Sequence, residues 1–393
     1  MKVQIGGSPC THWSIAQTKN RETEPKGLGW DLFENYLIAL YKFQPDYFLY
    51  ENNKSMPQAI RAEITKRFGF EPICINSALV SAQNRQRLYW CGRRNQDGTY
   101  RRVDVPQPED RGILLRDILD TGFAVREKAY ALLTPRGGTT AEDAFARRQR
   151  NVAAEPVRVG TIESETSGEK WDSKQYRVYS PDRKSVTLCG QGGGVGEKTG
   201  LYAVPAGMAW RGHARNGNSS SFEMRSDGKS NAVIVGHQNR LVIENADGKT
   251  VPVYEVRNGI ITIKGKQYPI KLADGYYIIR KLTVLECMRL QTIPESYVFP
   301  VSDTQAYKML GNGWTVDVIS HLMSHFDGII TEPLDVLSMY DGMACGHIAL
   351  DKLGAHISRY RATEIDKYAI KTAHHNFPDI EQLGDAFQVR FWV

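Results

Sequence analysis

Apolar and polar positions alternate in two rhythms over the first ninety residues. A short β-compatible run at residues 2–5 ends in Gly6-Gly7, so a strand is predicted to enter a tight loop carrying Ser8-Pro9-Cys10. In W-D-L-F-E-N-Y-L-I-A-L-Y, within residues 29–43, apolar side chains recur at helical spacing. Tyr47-Phe48-Leu49-Tyr50 has the texture of a buried strand and runs into Glu51-Asn52-Asn53. A helix over residues 57–68 opens on a proline, which suits a first helical turn. Strand-like stretches at 72–75 and 88–91 complete a β-α-β alternation. The pattern predicts an α/β protein with a mostly parallel, doubly wound sheet.

From about residue 95 the texture changes: Gly, Ser, Arg, Asn and Asp become dense and the alternation stops. The chain therefore reads as three stretches, residues 1–94, an inserted β-rich domain at 95–279, and 280–393. The insert holds two similar phrases, R-V-Y-S-P-D-R-K-S-V-T-L at 177–188 and F-E-M-R-S-D-G-K-S-N-A-V at 222–233, each predicted as a turn followed by a strand. Asn258-Gly259 and Asp274-Gly275 are hairpin signals. Helical patterning returns at 282–290 and 305–326. After Pro333, L-D-V-L-S-M-Y-D-G-M-A-C-G-H-I-A-L-D-K-L-G predicts strand, Gly-containing loop, helix. Arg361-Ala362-Thr363 ends a strand at Glu364, a helix follows at 367–375, and Leu383-Gly384-Asp385-Ala386 closes as a strand tipped by an acid.

Composition narrows the class. At 393 residues, two domains sharing one cleft are expected, and 41% hydrophobic with 24% charged residues is ordinary for a soluble globular chain. No run reaches the roughly 18 apolar residues of a membrane span and no secretory signal opens the chain, so no membrane association and a cytoplasmic location are expected. The six cysteines form no C-x-x-C pair and no zinc spacing with histidine, which argues against disulfides and a metal. A net charge of +6 is compatible with a polyanionic partner without requiring one.

Five places carry candidate chemistry. Asp341 to Gly346 lies between a predicted strand and helix, where glycines let a ligand approach helix N–H groups, although the spacing departs from G-x-G-x-x-G. Glu364 stands 23 residues beyond Asp341, close to the offset of about 20 residues for ribose-binding acids, and Asp385 would lie on the next strand end. Cys10 sits in a strand-end loop at the edge where α/β folds bind ligands; the alternative is a small buried thiol. Glu51 ends a strand and is equally readable as a solvated or capping carboxylate. Arg85 and Arg87, on one face by alternation, suit a phosphate or polarised carbonyl, or are ordinary surface charge.

The order and company of these pieces carry a resemblance. G-G-S-P-C, Y-E-N-N, Q-N-R-Q-R-L-Y-W, R-K-L-T-V-L-E-C-M-R-L-Q-T-I-P and Q-A-Y-K-M-L-G-N-G-W-T-V resemble, in that order, the second half of the carbon-5 cytosine DNA methyltransferases. L-S-M-Y-D-G-M-A-C-G, A-T-E-I-D and L-G-D-A resemble that family's first half, in the version of the animal de novo enzymes and related phage or bacterial ones. The motif order is therefore circularly permuted, with the break between the strands at Asp385 and Lys2. Pro9-Cys10-Thr11 and Glu51-Asn52-Asn53 depart from the usual Pro-Cys-Gln and Glu-Asn-Val.

The resemblance implies a Rossmann-like, S-adenosyl-L-methionine-dependent sheet with an inserted target-recognition domain. It implies Cys10 as nucleophile at cytosine carbon 6, Glu51 at ring nitrogen 3, and Arg87 with Arg85 at the carbonyl oxygen or the Cys10 loop. Met339, Tyr340, Asp341, Gly342, Met343, Ala344, Cys345, Gly346, Glu364, Ile365, Asp385, Ala386, Asn312 and Trp314 are the expected cofactor contacts. Arg177, Arg183, Lys184, Arg225 and Lys229 are candidates for contact with double-stranded DNA, and the glycines at 190–194 for a recognition loop. A monomer encoded by a bacterium or a phage is expected. An RNA cytosine methyltransferase and a silent DNA-binding regulator are the competing readings.

Overall fold

The computed structural model describes residues 1–9, 12–13, 21–118 and 283–392, together with strand segments between 158 and 280. The chain divides into two compact units, the first comprising residues 1–81, 85–112 and 288–393, the second residues 82–84 and 113–287.

The first unit opens with β1 (Lys2–Gly6), α1 (Leu28–Phe43), β2 (Tyr47–Asn53), α2 (Gln58–Phe68), β3 (Ile73–Asn76), β4 (Gln86–Arg94) and β5 (Tyr100–Arg102). Helix α1 forms because Trp30, Phe33, Tyr36, Ala39, Leu40 and Phe43 fall on one buried face. It ends where Gln44 adopts a left-handed conformation. The rings of Phe33 and Tyr36 meet Tyr50 edge-on at 5.2 and 4.9 Å, and Phe48 stacks on Phe68 of α2 at 4.9 Å. Burying each such side chain stabilises by about 1.5–3 kcal/mol, so this aromatic layer is a main anchor of the helices to the sheet. Tyr47, the residue before Phe48, stacks on Phe326 at 4.7 Å instead, because successive strand side chains point to opposite faces.

In the second unit β6 (Arg158–Thr161), β7 (Arg177–Tyr179), β8 (Leu201–Pro205), β9 (Gly207–Gly212), β10 (Ser220–Arg225), β11 (Leu241–Glu244), β12 (Thr250–Arg257), β13 (Ile260–Ile263), β14 (Lys266–Pro269) and β15 (Gly275–Arg280) follow. They build a sheet in the order β14-β13-β12-β15-β8-β7-β6 with β11 on β12, and a separate β9-β10 pair. Asn258, with φ 52°, makes the tight turn between β12 and β13 that the Asn-Gly pair predicts. Asp274-Gly275 does not close a hairpin between neighbours, for β15 pairs with β12 and β8 rather than with β14. Of the two similar phrases, Arg177–Tyr179 and the part of Phe222–Val233 through Arg225 are strands, and the remainder lies outside the described residues.

The chain then continues through α3 (Val284–Leu290), α4 (Asp303–Asn312), α5 (Val316–Met323), β16 (Leu334–Met339), α6 (Cys345–Leu353), β17 (Ile357–Thr363), α7 (Lys367–Asn376) and β18 (Glu381–Gly384). The single helix expected over 305–326 is two helices, because the chain leaves helical geometry at Gly313, whose ψ is 169°. The strand order of the first unit is β18-β17-β16-β1-β2-β4-β3, with β5 on β4. Strands β18, β17, β16, β1 and β2 run parallel, whereas β4 is antiparallel to both β2 and β3. The mixed α/β sheet thus departs from the expected alternation at β4. Residues 95–112, including β5, belong to this unit, so the change of texture at residue 95 precedes the change of unit. Among the described residues no helix is long and apolar enough to cross a membrane.

Candidate active site

One lateral row crosses the five parallel strands: Gly384 pairs with Thr363, Thr363 with Met339, Met339 with Gly6, and Gly6 with Tyr50. The residues immediately beyond this row are Asp385, Glu364, Tyr340, Gly7 and Glu51. Parallel strands end on one edge, so candidates more than 300 residues apart in the chain are delivered side by side.

On the β1 and β2 side, Glu51 is buried, with Oε1 3.1 Å from Arg87 Nε and Oε2 accepting from the Trp314 indole at 3.0 Å. The Ser8 hydroxyl lies 2.6 Å from the Tyr50 hydroxyl, and the Asn52 amide donates to the Ser8 carbonyl at 3.2 Å, tying the loop before Cys10 to β2. Asn53 turns back on itself, accepting from Ser55 at 2.7 Å. Cys10 lies outside the described residues. Beyond it, Glu22 accepts from the Trp13 indole at 2.9 Å and from the Gly29 N–H at 3.1 Å, which pins the far side of the segment to the start of α1. Burial pushes the Cys91 and Cys345 thiols up to about 12, so neither is a ready thiolate near neutral pH.

Arg85 and Arg87 part company. Arg87 faces Glu51, while the buried Arg85 guanidinium donates to the carbonyls of Gly311 and Gly313 at 3.3 and 2.9 Å. Gln291 reinforces the same turn, donating to the Leu310 and Gly313 carbonyls at 2.6 and 3.2 Å and accepting from Thr315. The Gly-Asn-Gly-Trp turn is thereby held rigidly, with Asn312 exposed and Trp314 directed to Glu51. A Cβ on Gly313 would come within 3.2 Å of Cys345 Sγ and 3.3 Å of Met343 Cε, so this turn abuts the loop after β16.

That loop is strained in a regular way. Tyr340, Gly342 and Ala344 all have positive φ, at 61°, 61° and 62°, a conformation that costs the two non-glycine residues energy. Bonds from its surroundings hold it: Tyr340 N–H to Thr363 Oγ1 at 3.1 Å, the Tyr340 hydroxyl to the Leu32 carbonyl at 2.6 Å, and the Tyr297 hydroxyl to the Met343 carbonyl at 2.6 Å. Glu364 Oε2 accepts from Gly342 N–H at 2.8 Å, and Oε1 from Ile365 and Asp366 N–H, both at 2.8 Å. Met339 is buried at the strand end, Ile365 is 74% exposed, Asp385 is exposed and caps the following turn through Phe387 N–H at 3.0 Å, and Ala386 is buried. A Cβ on Gly346 would lie 2.2 Å from Ile5 Cδ1, so the start of α6 packs closely against a side chain of β1.

The buried Asp341 carboxyl accepts at Oδ1 from Ser338 and Tyr360 at 2.6 and 2.7 Å, and its buried Oδ2 has no hydrogen-bond partner among the described residues. Burial pushes its pKa up to about 6, against the opposing effect of those two bonds. A vacant carboxyl oxygen, open space around Gly342, and two carboxylates on adjoining strand ends fit a nucleoside carrying a cationic amino acid. S-adenosylmethionine is such a molecule. Sequence reasoning gave no role to Gln291 or Tyr360, whose partners Leu310 and Asp341 each lie 19 residues away, nor to Asn52, which reaches the Ser8 carbonyl 44 residues back.

In the second unit Arg177 and Arg225 begin and end strands, while Arg183, Lys184, Lys229 and the glycines at 190–194 lie outside the described residues. Among the described residues no cluster of His, Cys, Asp and Glu could hold a metal ion.

The chain is 24% identical over 380 aligned residues to the orphan methyltransferase M.SPRI of Bacillus phage SPR, covering 81% of this chain and 80% of that one. A shorter stretch of 111 residues is 36% identical to the type II methyltransferase M.HpaII of Haemophilus parainfluenzae, 27% of each chain. Among solved structures, the Entamoeba histolytica methyltransferase EhMeth aligns over 82% of this chain and 76% of its own, with a TM-score of 0.40 and 12% identity. The C-5 cytosine-specific DNA methylase family matches residues 1–327, and the chain belongs to that family.

Proposed function

We propose that this DNA cytosine-5 methyltransferase works with Cys10, Glu51 and Arg87 from the start of its chain and a cofactor site from its end. The observation that carries the reading is the lateral row from Gly384 to Tyr50, with Asp385, Glu364 and Glu51 just beyond it. The permuted reading rests on motif order in the sequence, with G-G-S-P-C and Y-E-N-N ahead of L-S-M-Y-D-G-M-A-C-G and A-T-E-I-D. Breaking the chain between β18 and β1 keeps every strand available, which surface connections tolerate.

Carbon 5 of cytosine is a weak nucleophile. Cys10 as thiolate adds to carbon 6, raising electron density at carbon 5. Glu51, in its protonated form, donates to ring nitrogen 3 as the thiolate adds, and Arg87 holds its Oε1. S-adenosylmethionine, when bound, supplies an electrophilic methyl group for carbon 5. A base then removes the carbon-5 proton, the carbon–sulfur bond breaks and the thiolate is restored. Glu364 is the candidate acceptor for the ribose hydroxyls, Asp385 for the adenine amino group, Ile365 and Ala386 for the face of the ring, and residues 339–346 with Asn312 for the methionine portion.

The target carbon is stacked within duplex DNA, so the base must be flipped out at a cost of a few kcal/mol. The β-rich second unit is the proposed target-recognition domain, with Arg177, Arg183, Lys184, Arg225 and Lys229 as candidate DNA contacts. Its length favours DNA over RNA as substrate. The catalytic set as a whole argues against a silent regulator. The decisive experiment offers duplex DNA containing 5-fluorocytosine with cofactor. The wild type should form a stable covalent adduct, since fluorine cannot leave as a proton does, and Cys10→Ser should form none. Full turnover by Cys10→Ser would remove that residue from its role.

A further inference from the structure

The Gly-Asn-Gly-Trp turn belongs by resemblance to the cofactor site, yet its indole goes elsewhere. Trp314 and Glu51, 263 residues apart, meet through a hydrogen bond of 3.0 Å in which the indole donates to Oε2. Arg87 holds the other oxygen, Oε1, at 3.1 Å. Gly7 closes a third side, since a Cβ there would lie 2.9 Å from Oε2. The carboxylate is thus fixed in rotation as well as position.

We propose that Trp314 is a positioning residue for Glu51, fixing the plane of its carboxyl group so that the acid proton faces ring nitrogen 3 of the cytosine. This rests on the reading of Glu51 as the group that engages ring nitrogen 3. An indole N–H suits the task because it donates only and cannot exchange a proton with the acid near neutral pH. The support behind it is built for rigidity. Arg85 and Gln291, both buried, bind the carbonyls of Leu310, Gly311 and Gly313, and the Thr315 hydroxyl bonds Gln291 on one side and Ser77 at 2.9 Å on the other. Such a network is spent on placing one turn, and Trp314 is the member of that turn that reaches the acid.

The test separates acid positioning from cofactor binding. Trp314→Phe keeps an aromatic ring and removes the N–H. The single-turnover rate at saturating DNA and S-adenosylmethionine should fall about tenfold, as loss of a bond to a charged group does. Cofactor affinity by calorimetry should stay within about threefold of wild type, a margin below 1 kcal/mol. Trp314→His restores a ring donor and should recover part of the rate. In a Glu51→Gln background the same Trp314→Phe change should add less than about a twofold loss, because coupled residues are not additive. An unchanged rate, a loss that appears wholly in cofactor affinity, or a full additive loss in the Glu51→Gln background overturns the proposal. Full turnover by Glu51→Gln removes the acid reading and the proposal with it, and is read separately from the Trp314 result.

Discussion

Gly7 backs directly onto Glu51: a Cβ at position 7 would sit 2.7 Å from the Glu51 carbonyl oxygen and 2.9 Å from its Oε2. The two residues follow the paired positions Gly6 and Tyr50 of adjacent parallel strands, so the loop that leads to Cys10 and the acid share one close contact.

Gly7→Ala should therefore disturb both the end of β2 and the acid it carries. Overpacking of this kind costs about 1–3 kcal/mol, and because the added carbon meets the Glu51 backbone carbonyl as well as Oε2, relief moves the carboxyl away from Arg87 and Trp314 together with its strand end. We expect turnover to fall on the order of tenfold to a hundredfold, with only a few degrees lost in thermal midpoint. Initial rates and a melting curve on the same preparation check this. Wild-type turnover would mean that Glu51 does not act in the orientation seen here.

The far half of the edge makes a prediction about the cofactor alone. Glu364 already accepts N–H bonds from Gly342, Ile365 and Asp366, so it ties the loop after β16 to the end of β17 and is the acid proposed for the ribose. Glu364→Ala should weaken S-adenosylmethionine by roughly 1–3 kcal/mol and leave DNA affinity without cofactor little changed. Calorimetric titration of both proteins, with folding followed by circular dichroism, makes the comparison. Equal affinities would show that the C-terminal segment is not the cofactor half.

Asp341 predicts a pH dependence with a definite sign. Its pKa rises from 3.8 to about 6 on burial, so the folded protein keeps this proton where the unfolded chain has lost it. The carboxyl is neutral in both states below about pH 4. Stability then declines as pH rises between about 4 and 6, and the deficit is constant above that, at most about 3 kcal/mol. Asp341→Asn can still accept from Ser338 and Tyr360 and carries no charge. It should melt higher than the wild type at pH 8, with the difference shrinking as pH falls to 4. A difference that grows toward pH 4 would contradict the assignment of burial as the cause.

Much of this fold is written in local pattern. Helix α1 and strands β1, β2, β16 and β17 lie near their predicted places, because period and punctuation by Gly and Pro depend on neighbours in sequence. Strand-end acids are legible in sequence too: Glu51 follows the apolar run at 47–50, and Glu364 stands 23 residues beyond Asp341. What tertiary structure alone decided is direction and pairing. The segment of β4 reads as one more strand, yet it lies antiparallel between β2 and β3, a choice made by hydrogen-bonding partners rather than by its own residues. Arg85 and Arg87 share a predicted face, but Arg85 precedes the strand and turns to the Gly311 and Gly313 carbonyls. The bond between Trp314 and Glu51 joins positions whose separation no local signal spans. Periodicity reports what each segment buries, whereas a polar contact at a strand end depends on which segments the sheet has brought together.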